Sequence, residues 1–171
     1  MLLHKKRTIK TIMQKTSRAV VIGMLITVAY ILSACNRLPI YSHYEHAPSA
    51  GWEKNDTLDF YVTPVKEAGY YHEELGLRID DSYPFQGLCL VIEQTILPSG
   101  YKHNDTLNCS LYEKNGVAKG SGIKHYQYNF HMNTIRLNEG DSLHIAVRHN
   151  MKREIMPGIT DIGLLIRKQE Y

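Results

Sequence analysis

The chain has 171 residues and a formal net charge of +3, and its surplus of positive charge lies entirely in the first 34 residues. These contain six of the twenty lysines and arginines and no acidic residue, which leaves 14 cations against 17 acids in residues 35–171, a charge of about −3. Nucleic-acid-binding proteins typically carry an excess of basic residues, which residues 35–171 lack. These residues suffice for one compact domain but not two.

The first 34 residues have the layout of a lipoprotein signal peptide. Basic residues precede an apolar run from Ala19 to Leu32, which is shorter than the roughly 20 residues that a membrane-spanning helix needs. The run leads into Leu-Ser-Ala-Cys ending at Cys35, which resembles a bacterial lipobox. We therefore predict a signal peptide at 1–34, cleavage before Cys35, and acylation of Cys35 as the membrane anchor. An uncleaved signal anchor is the alternative.

Residues 35–50 are predicted to be the acylated cysteine and a flexible tether. The segment is polar, contains Pro39 and Pro48, and shows no apolar period. It would lift the following domain, residues 51–171, off the membrane. The chain's single tryptophan, Trp52, stands at the start of this domain and is predicted to lie in its core.

From residue 51 onward, apolar residues recur with a period of two in short runs separated by turn residues. A half-buried strand is predicted over 70–79, where only Glu73 interrupts the apolar face, and a central strand over 88–93. About seven or eight such strands predict an all-β fold, an antiparallel β-sandwich of jelly-roll-like type. Residues 149–156 are the one stretch that suits a helical turn. The other alternating faces are Leu58/Phe60/Val62, Tyr126/Tyr128/Phe130/Met132, Leu143/Ile145/Val147 and Ile162/Leu164/Ile166.

Cys89 and Cys109 are the two cysteines left for a disulfide once Cys35 carries lipid. An extracytoplasmic location permits a bridge, which needs Cα atoms within about 7 Å and converging side chains. Cys109 lies on the apolar face of its predicted strand, whereas the direction of Cys89 stays open because both faces of 88–93 are apolar. A Cys89–Cys109 disulfide and two separately buried thiols are both compatible with the sequence.

The sequence contains no motif of a catalytic or metal-binding site. The eight histidines after the leader form no His-x-x-x-His pair and none lies at zinc spacing from a cysteine; Gly-x-Ser-x-Gly and Walker motifs are absent. The acidic pairs Glu73-Glu74 and Asp80-Asp81 are typical of turns and surfaces, because a paired acid–base site depends on a separation in space. We predict a protein that is not an enzyme and has no cofactor or metal.

A series of short motifs runs from about residue 33 to residue 168. After the lipobox come Gly51-Trp52, Tyr83-Pro84-Phe85 and a terminal block that begins with Met151-x-Arg153 and continues through Pro157-Gly158. In their order these motifs resemble the GldH family of gliding-motility lipoproteins from Bacteroidota. The resemblance implies a cell-envelope accessory of the gliding apparatus, linked in that group to type IX secretion, and it implies no catalytic residues. The sequence departs from the family at Cys89 and Leu165.

The predicted function follows from this resemblance and from the leader. We predict a lipoprotein that is anchored in the membrane and docks other envelope proteins of motility or secretion. We do not expect it to bind nucleic acid. Because the residues after Cys35 are not acidic, the predicted location is the periplasmic side of the outer membrane. The alternative is a surface glycan-binding lipoprotein, which requires Tyr61, Tyr101 or Tyr112 to cluster on one exposed face. A hydrolase would require two acids or a metal triad in a cleft.

Two sets of residues are candidate sites. Met151 and Arg153 lie in an irregular segment with the composition of a docking surface, and the alternative role is a buried brace between the sheets. Thr57, Thr106 and Ser142 each lie between an aspartate and a leucine, in a pattern that resembles the short O-glycosylation motif of extracytoplasmic Bacteroidota proteins. The alternative for these three is a turn that opens a strand.

Overall fold

The alternating runs become β-strands in the computed structural model, which describes Met24 and residues 38–170. The strands in chain order are β1 (Tyr41–His46), β2 (Trp52–Glu53), β3 (Leu58–Val62), β4 (Gly69–Asp80), β5 (Gly87–Leu97), β6 (Tyr101–Ser110), β7 (Ser121–Gly122), β8 (His125–Leu137), β9 (Ser142–His149), β10 (Ile155–Met156) and β11 (Ile159–Lys168). No helix among these described residues is both long enough and apolar enough to span a bilayer.

The strands form two main antiparallel sheets and a small ribbon. The five-stranded sheet has the order β1-β11-β4-β8-β7, the four-stranded sheet has the order β3-β9-β5-β6, and β10 pairs with β2. Their apolar faces pack against each other, which confirms the predicted all-β antiparallel sandwich.

The core follows the period of two that the sequence shows. In β4 the odd-numbered residues from Tyr71 to Ile79 are buried, and in β5 the even-numbered residues from Leu88 to Gln94 are buried. These two strands lie inside their sheets, each paired on both sides by a neighbouring strand.

Strand β1 differs from the sequence-based prediction, because it lies inside the segment assigned to a flexible tether. Tyr41 pairs with Ile166 and His46 with Asp161, so β1 is bound to β11 along its whole length. The predicted tether of 35–50 is therefore too long. A polar strand at a sheet edge needs backbone hydrogen bonds but no continuous apolar face, and it leaves little periodic signal in the sequence.

Residues 149–156 also differ from the prediction, because they do not form a helical turn. His149 ends β9, an irregular stretch follows, and Ile155–Met156 forms β10. The backbone of this segment bonds to other strands instead of to itself: the Asn150 N–H donates to the Cys89 carbonyl at 2.8 Å, and β10 pairs with β2.

The sandwich has two ends. At the end that we call the entry end, β1, β4, β6 and β9 begin and β3, β5, β8 and β11 finish. The opposite end, which we call the far end, carries the loops 81–86 and 111–120 and the segment after β9.

Candidate functional site

The far-end segment, residues 150–155, contains both predicted docking residues, and Met151 attaches it to the sandwich. The Cys89 N–H donates to the Met151 sulfur at an N···Sδ distance of 3.4 Å, and the Met151 side chain packs against the core. Backbone pairing of Asn150 with Cys89 fixes the same stretch. Met151 therefore has the environment of a brace.

A buried aromatic pair lies beneath this segment. Trp52 and His149 are fully buried, with ring centroids 5.5 Å apart in an edge-to-face arrangement. The His149 Nε2 lies 3.0 Å from the Trp52 carbonyl oxygen, and its Nδ1 lies 3.4 Å from the Met151 backbone nitrogen. Because the carbonyl can only accept and the N–H can only donate, both bonds fit a neutral imidazole protonated at Nε2. Burial lowers the pKa of His149, which favours the same neutral form.

The outer side of the far-end segment is exposed. Arg153 and Lys152 face solvent, and the Ile155 side chain is 45% exposed. Within the part of the chain that the structure describes, Arg153 makes no ion pair. The two predicted docking residues, Met151 and Arg153, thus have different environments. The exposed surface of the far-end segment includes Arg153 and Ile155, whereas Met151 lies beneath it.

The candidate modification sites lie apart from one another. Cys35 lies outside the described residues. Thr57 is exposed before β3 and donates to Asp59 at 3.1 Å, and half-buried Ser142 opens β9. Thr106 is exposed inside β6, so the expectation that its motif opens a strand is wrong at that place. Glycosylation at these three residues stays a prediction.

Cys89 and Cys109 are free thiols on adjacent strands. Cys109 pairs in register with Leu88 and points into the core, whereas Cys89 pairs with Asn108 and belongs to the outer face. Because successive side chains of a strand alternate between faces, the two thiols do not converge as a disulfide requires. Burial raises the pKa of the Cys109 thiol to about 12.

The three tyrosines of the glycan-binding alternative do not share a face. Tyr61 lies on the outer face of β3 and stacks on His144 at a centroid distance of 4.7 Å. Tyr101 begins β6 at the other edge of the same sheet, and Tyr112 forms a bridge with Ala118 at the far end. The platform that this alternative requires is therefore not formed by these residues.

The acidic pairs do not converge either. Glu73 is fully buried between the sheets and accepts a hydrogen bond from Gln94 Nε2 at 2.5 Å, while Glu74 lies on the opposite, outer face. Asp80 accepts bonds from the backbone and the hydroxyl of Ser82, which lower the pKa of its carboxyl. No group of three or more metal-ligating side chains is gathered among residues 38–170.

An outer-face cluster on the five-stranded sheet was not predicted. The Tyr44 ring lies over Gly76 and Gly163, where a Cβ on either glycine would collide with it. The Arg78 guanidinium stacks on this ring at 4.0 Å from its centroid, and Gln127 donates to the Tyr44 hydroxyl at 3.4 Å. The sequence signal was Gly163 inside a strand, which indicates close approach by a neighbour but cannot identify that neighbour.

Comparisons with known proteins agree with the motif order. The sequence profile of the GldH lipoprotein family matches residues 39–166. The gliding motility lipoprotein GldH of Flavobacterium johnsoniae is 26% identical over 155 residues, covering 86% of this chain and 96% of that protein.

Solved structures share only a distant likeness. A family 115 4-O-methyl-α-glucuronidase aligns over 80% of this chain and 18% of its own, with 11% identity and a TM-score of 0.46. A family 35 carbohydrate-binding module from Clostridium thermocellum aligns over 75% of this chain and 90% of its own, with 14% identity and a TM-score of 0.37. These TM-scores support no inference about function.

Proposed function

Because the chain belongs to the GldH lipoprotein family, we propose that it is a non-enzymatic cell-envelope lipoprotein that docks other proteins of the gliding-motility or type IX secretion apparatus. The proposal draws on the similarity to the Flavobacterium johnsoniae relative, which is a gliding motility lipoprotein. A binding role uses the rigid sandwich as a scaffold for a surface.

The anchor is the lipid on Cys35, after removal of residues 1–34. We place the domain on the periplasmic side of the outer membrane, for which the non-acidic residues after Cys35 are the supporting observation. Multiple acyl chains hold a protein stably at a bilayer, since each buried methylene contributes about 0.8 kcal/mol.

The docking surface is the outer side of the far-end segment. The observation that carries this assignment is the contrast within the segment: Met151 and His149 fix its backbone from below, while Arg153 and Ile155 face solvent. Arginine is enriched at protein–protein interfaces, and an exposed apolar side chain can be buried there on binding. A rigid support also lowers the entropic cost of ordering the segment when a partner binds.

A charge reversal tests the surface. Tagged full-length lipoprotein carrying Arg153→Glu should lose its co-purifying envelope proteins, whereas Lys114→Glu, an equal charge change in the exposed far-end loop, should keep them. Both variants should melt within a few degrees of the unmodified protein, because surface substitutions usually change stability by less than about 0.5 kcal/mol. Equal co-purification with both variants would refute docking through Arg153.

Met151→Ala separates the brace from the surface. Truncation of this partly buried side chain should cost roughly 1–3 kcal/mol, at the low end of large-to-small changes in a core. Urea unfolding measures the loss. A variant of unchanged stability that fails to co-purify partners would instead assign Met151 to the interface.

A further inference from the structure

The entry end of the sandwich lies very near the predicted lipid in the covalent chain. The Ile40 N–H already donates to the Ile166 carbonyl at 2.9 Å, so the domain is fixed five residues after Cys35. An extended chain spans at most about 3.6 Å per residue, which limits this connection to roughly 18 Å. Because β4 alone has 12 residues, and so a length of about 40 Å, the connection is much shorter than the domain.

Four exposed apolar side chains lie at this same end. Leu38 is 88% exposed, Ile40 43%, Leu97 44% and Tyr101 60%. Leu38 and Ile40 precede β1, while Leu97 and Tyr101 flank the turn between β5 and β6 at the opposite edge of the sandwich. The four side chains therefore occur on both sides of the entry end.

The charges at the entry end are mixed. The exposed cations Lys66, Lys102 and Arg136 are accompanied by Glu139 in the neighbouring loop and by an ion pair between Glu67 and Lys168. Such a surface has no strong attraction for anionic lipids, so its affinity for a bilayer has to come from apolar side chains.

We infer that the entry end rests against the phospholipid bilayer, with Leu38, Ile40, Leu97 and Tyr101 in the interfacial layer. This inference deepens the proposed function and rests on lipid attachment at Cys35. Transfer of aromatic and aliphatic side chains from water to the interfacial layer is favourable, and the polar end of an aromatic ring stays hydrated there. The contact orients the far-end segment away from the membrane, where docking partners can reach it.

Site-directed fluorescence tests the contact on the acylated, full-length mature protein in phosphatidylcholine vesicles. An environment-sensitive probe is attached to Leu97→Cys or Tyr101→Cys in a Cys89→Ala background, with Ile123→Cys as the matched control at the far end, where Ile123 is 89% exposed. Nitroxide-labelled lipids should reduce the fluorescence at 97 and 101 by about twofold or more, as expected for an interfacial depth of roughly 5–10 Å, and leave 123 unchanged. Added salt should not weaken the effect, because the contact is apolar.

Three results would overturn the inference, and each has a different meaning. If vesicles carry the protein but the probes at 97 and 101 are quenched no more than the probe at 123, the domain stands away from the bilayer while the lipid anchor holds. If the protein does not float with the vesicles at all, the anchor of the proposed function fails and the bilayer contact fails with it. Shielding of 97 and 101 only after addition of envelope protein would assign the entry end to a protein partner.

Hydrogen exchange provides a measurement without labels in case the cysteine variants fold poorly. Amides of Leu38, Ile40, Leu97 and residues 99–103 should exchange more slowly in the vesicle-bound lipoprotein than in soluble Cys35→Ser protein, whereas amides of 114–124 should not change. Equal exchange of 97–103 in the two forms would contradict the bilayer contact.

Discussion

Glu73 is a carboxylic acid inside the apolar layer between the two sheets. Gln94 from the facing sheet donates to its Oε1, and its Oε2 has no hydrogen-bond partner among the described residues. Burial raises the pKa of Glu73 to about 7, because the low-polarity core disfavours the charged form. The hydrogen bond from Gln94 to Glu73 links the two sheets, and it joins two neutral groups when Glu73 is protonated.

Replacement of Glu73 by Gln should remove a pH dependence of stability. The folded pKa of about 7 lies above the ordinary value of 4.5, so the folded state binds the proton more tightly. The stabilisation is complete below about pH 4.5 and is lost as the pH rises through 7, a change of roughly 3 kcal/mol. In urea unfolding from about pH 5 to pH 8, the free energy of unfolding of Glu73→Gln should rise relative to that of the unmodified protein. The free energy of unfolding of Glu74→Gln, on the outer face, should not. Parallel curves for all three proteins would contradict an ionisable Glu73 in the core.

The two body cysteines should remain unpaired in the mature protein. Their side chains belong to opposite faces of the four-stranded sheet, so a bridge would require a strand to turn over. We expect two titratable thiols after denaturation without reductant, and slower labelling of Cys109 than of Cys89 in the folded state. Thiol counting with peptide mapping measures both, and the absence of free thiols in denatured protein would establish the disulfide.

At the scale of elements, β1 is attached through a side chain as well as through backbone pairing. The Tyr44 ring occupies the space that side chains at Gly76 and Gly163 would fill, and Arg78 and Gln127 contact the ring from β4 and β8. The cluster thus links four strands of the five-stranded sheet. This attachment holds β1 on the five-stranded sheet.

Gly163→Ala should destabilise the protein by about 1–3 kcal/mol, because the new methyl group forces the Tyr44 ring off the sheet. If the ring is the cause, the cost of Gly163→Ala should largely disappear in a Tyr44→Ala background. A double-mutant cycle by urea unfolding measures this coupling. Additive effects of the two substitutions would show that Gly163 is required for some other reason.

At the scale of the whole molecule, the proposals assign the two ends of one sandwich to different partners. In the proposed arrangement the entry end, which carries the short covalent connection, faces lipid, and the far end, which carries Arg153 and Ile155, faces protein. A rigid sandwich suits this arrangement, since both sheets extend from one end to the other and keep the two surfaces at a fixed separation.

Cys35→Ala tests the anchor of this arrangement. The variant should accumulate as an uncleaved precursor or a soluble product, while its domain melts within a few degrees of the unmodified protein because Cys35 precedes the first sheet contact. Metabolic labelling with a fatty acid and membrane fractionation provide the measurement. Normal processing together with membrane partitioning of the variant would exclude Cys35 as the lipid site.

The fold class, the family and the principal strands could be predicted from the amino-acid sequence. A strand that is buried on one face shows apolar residues with a period of two, as in 70–79. A strand in the centre of a sheet can show a continuous apolar run, as in 88–93. Motif order identified the family, which the matching profile over residues 39–166 confirms.

The role of residues whose partners are distant in sequence could be seen only in the folded structure. Polar β1 is a strand because β11 supplies its hydrogen bonds, and Met151 lies under its segment because Cys89, 62 positions earlier, donates to its sulfur. Burial of Glu73 likewise depends on Gln94 in the facing sheet. Local patterns report which face of a strand is covered, whereas strand order and register decide what covers it, and that physical difference limited the predictions from sequence.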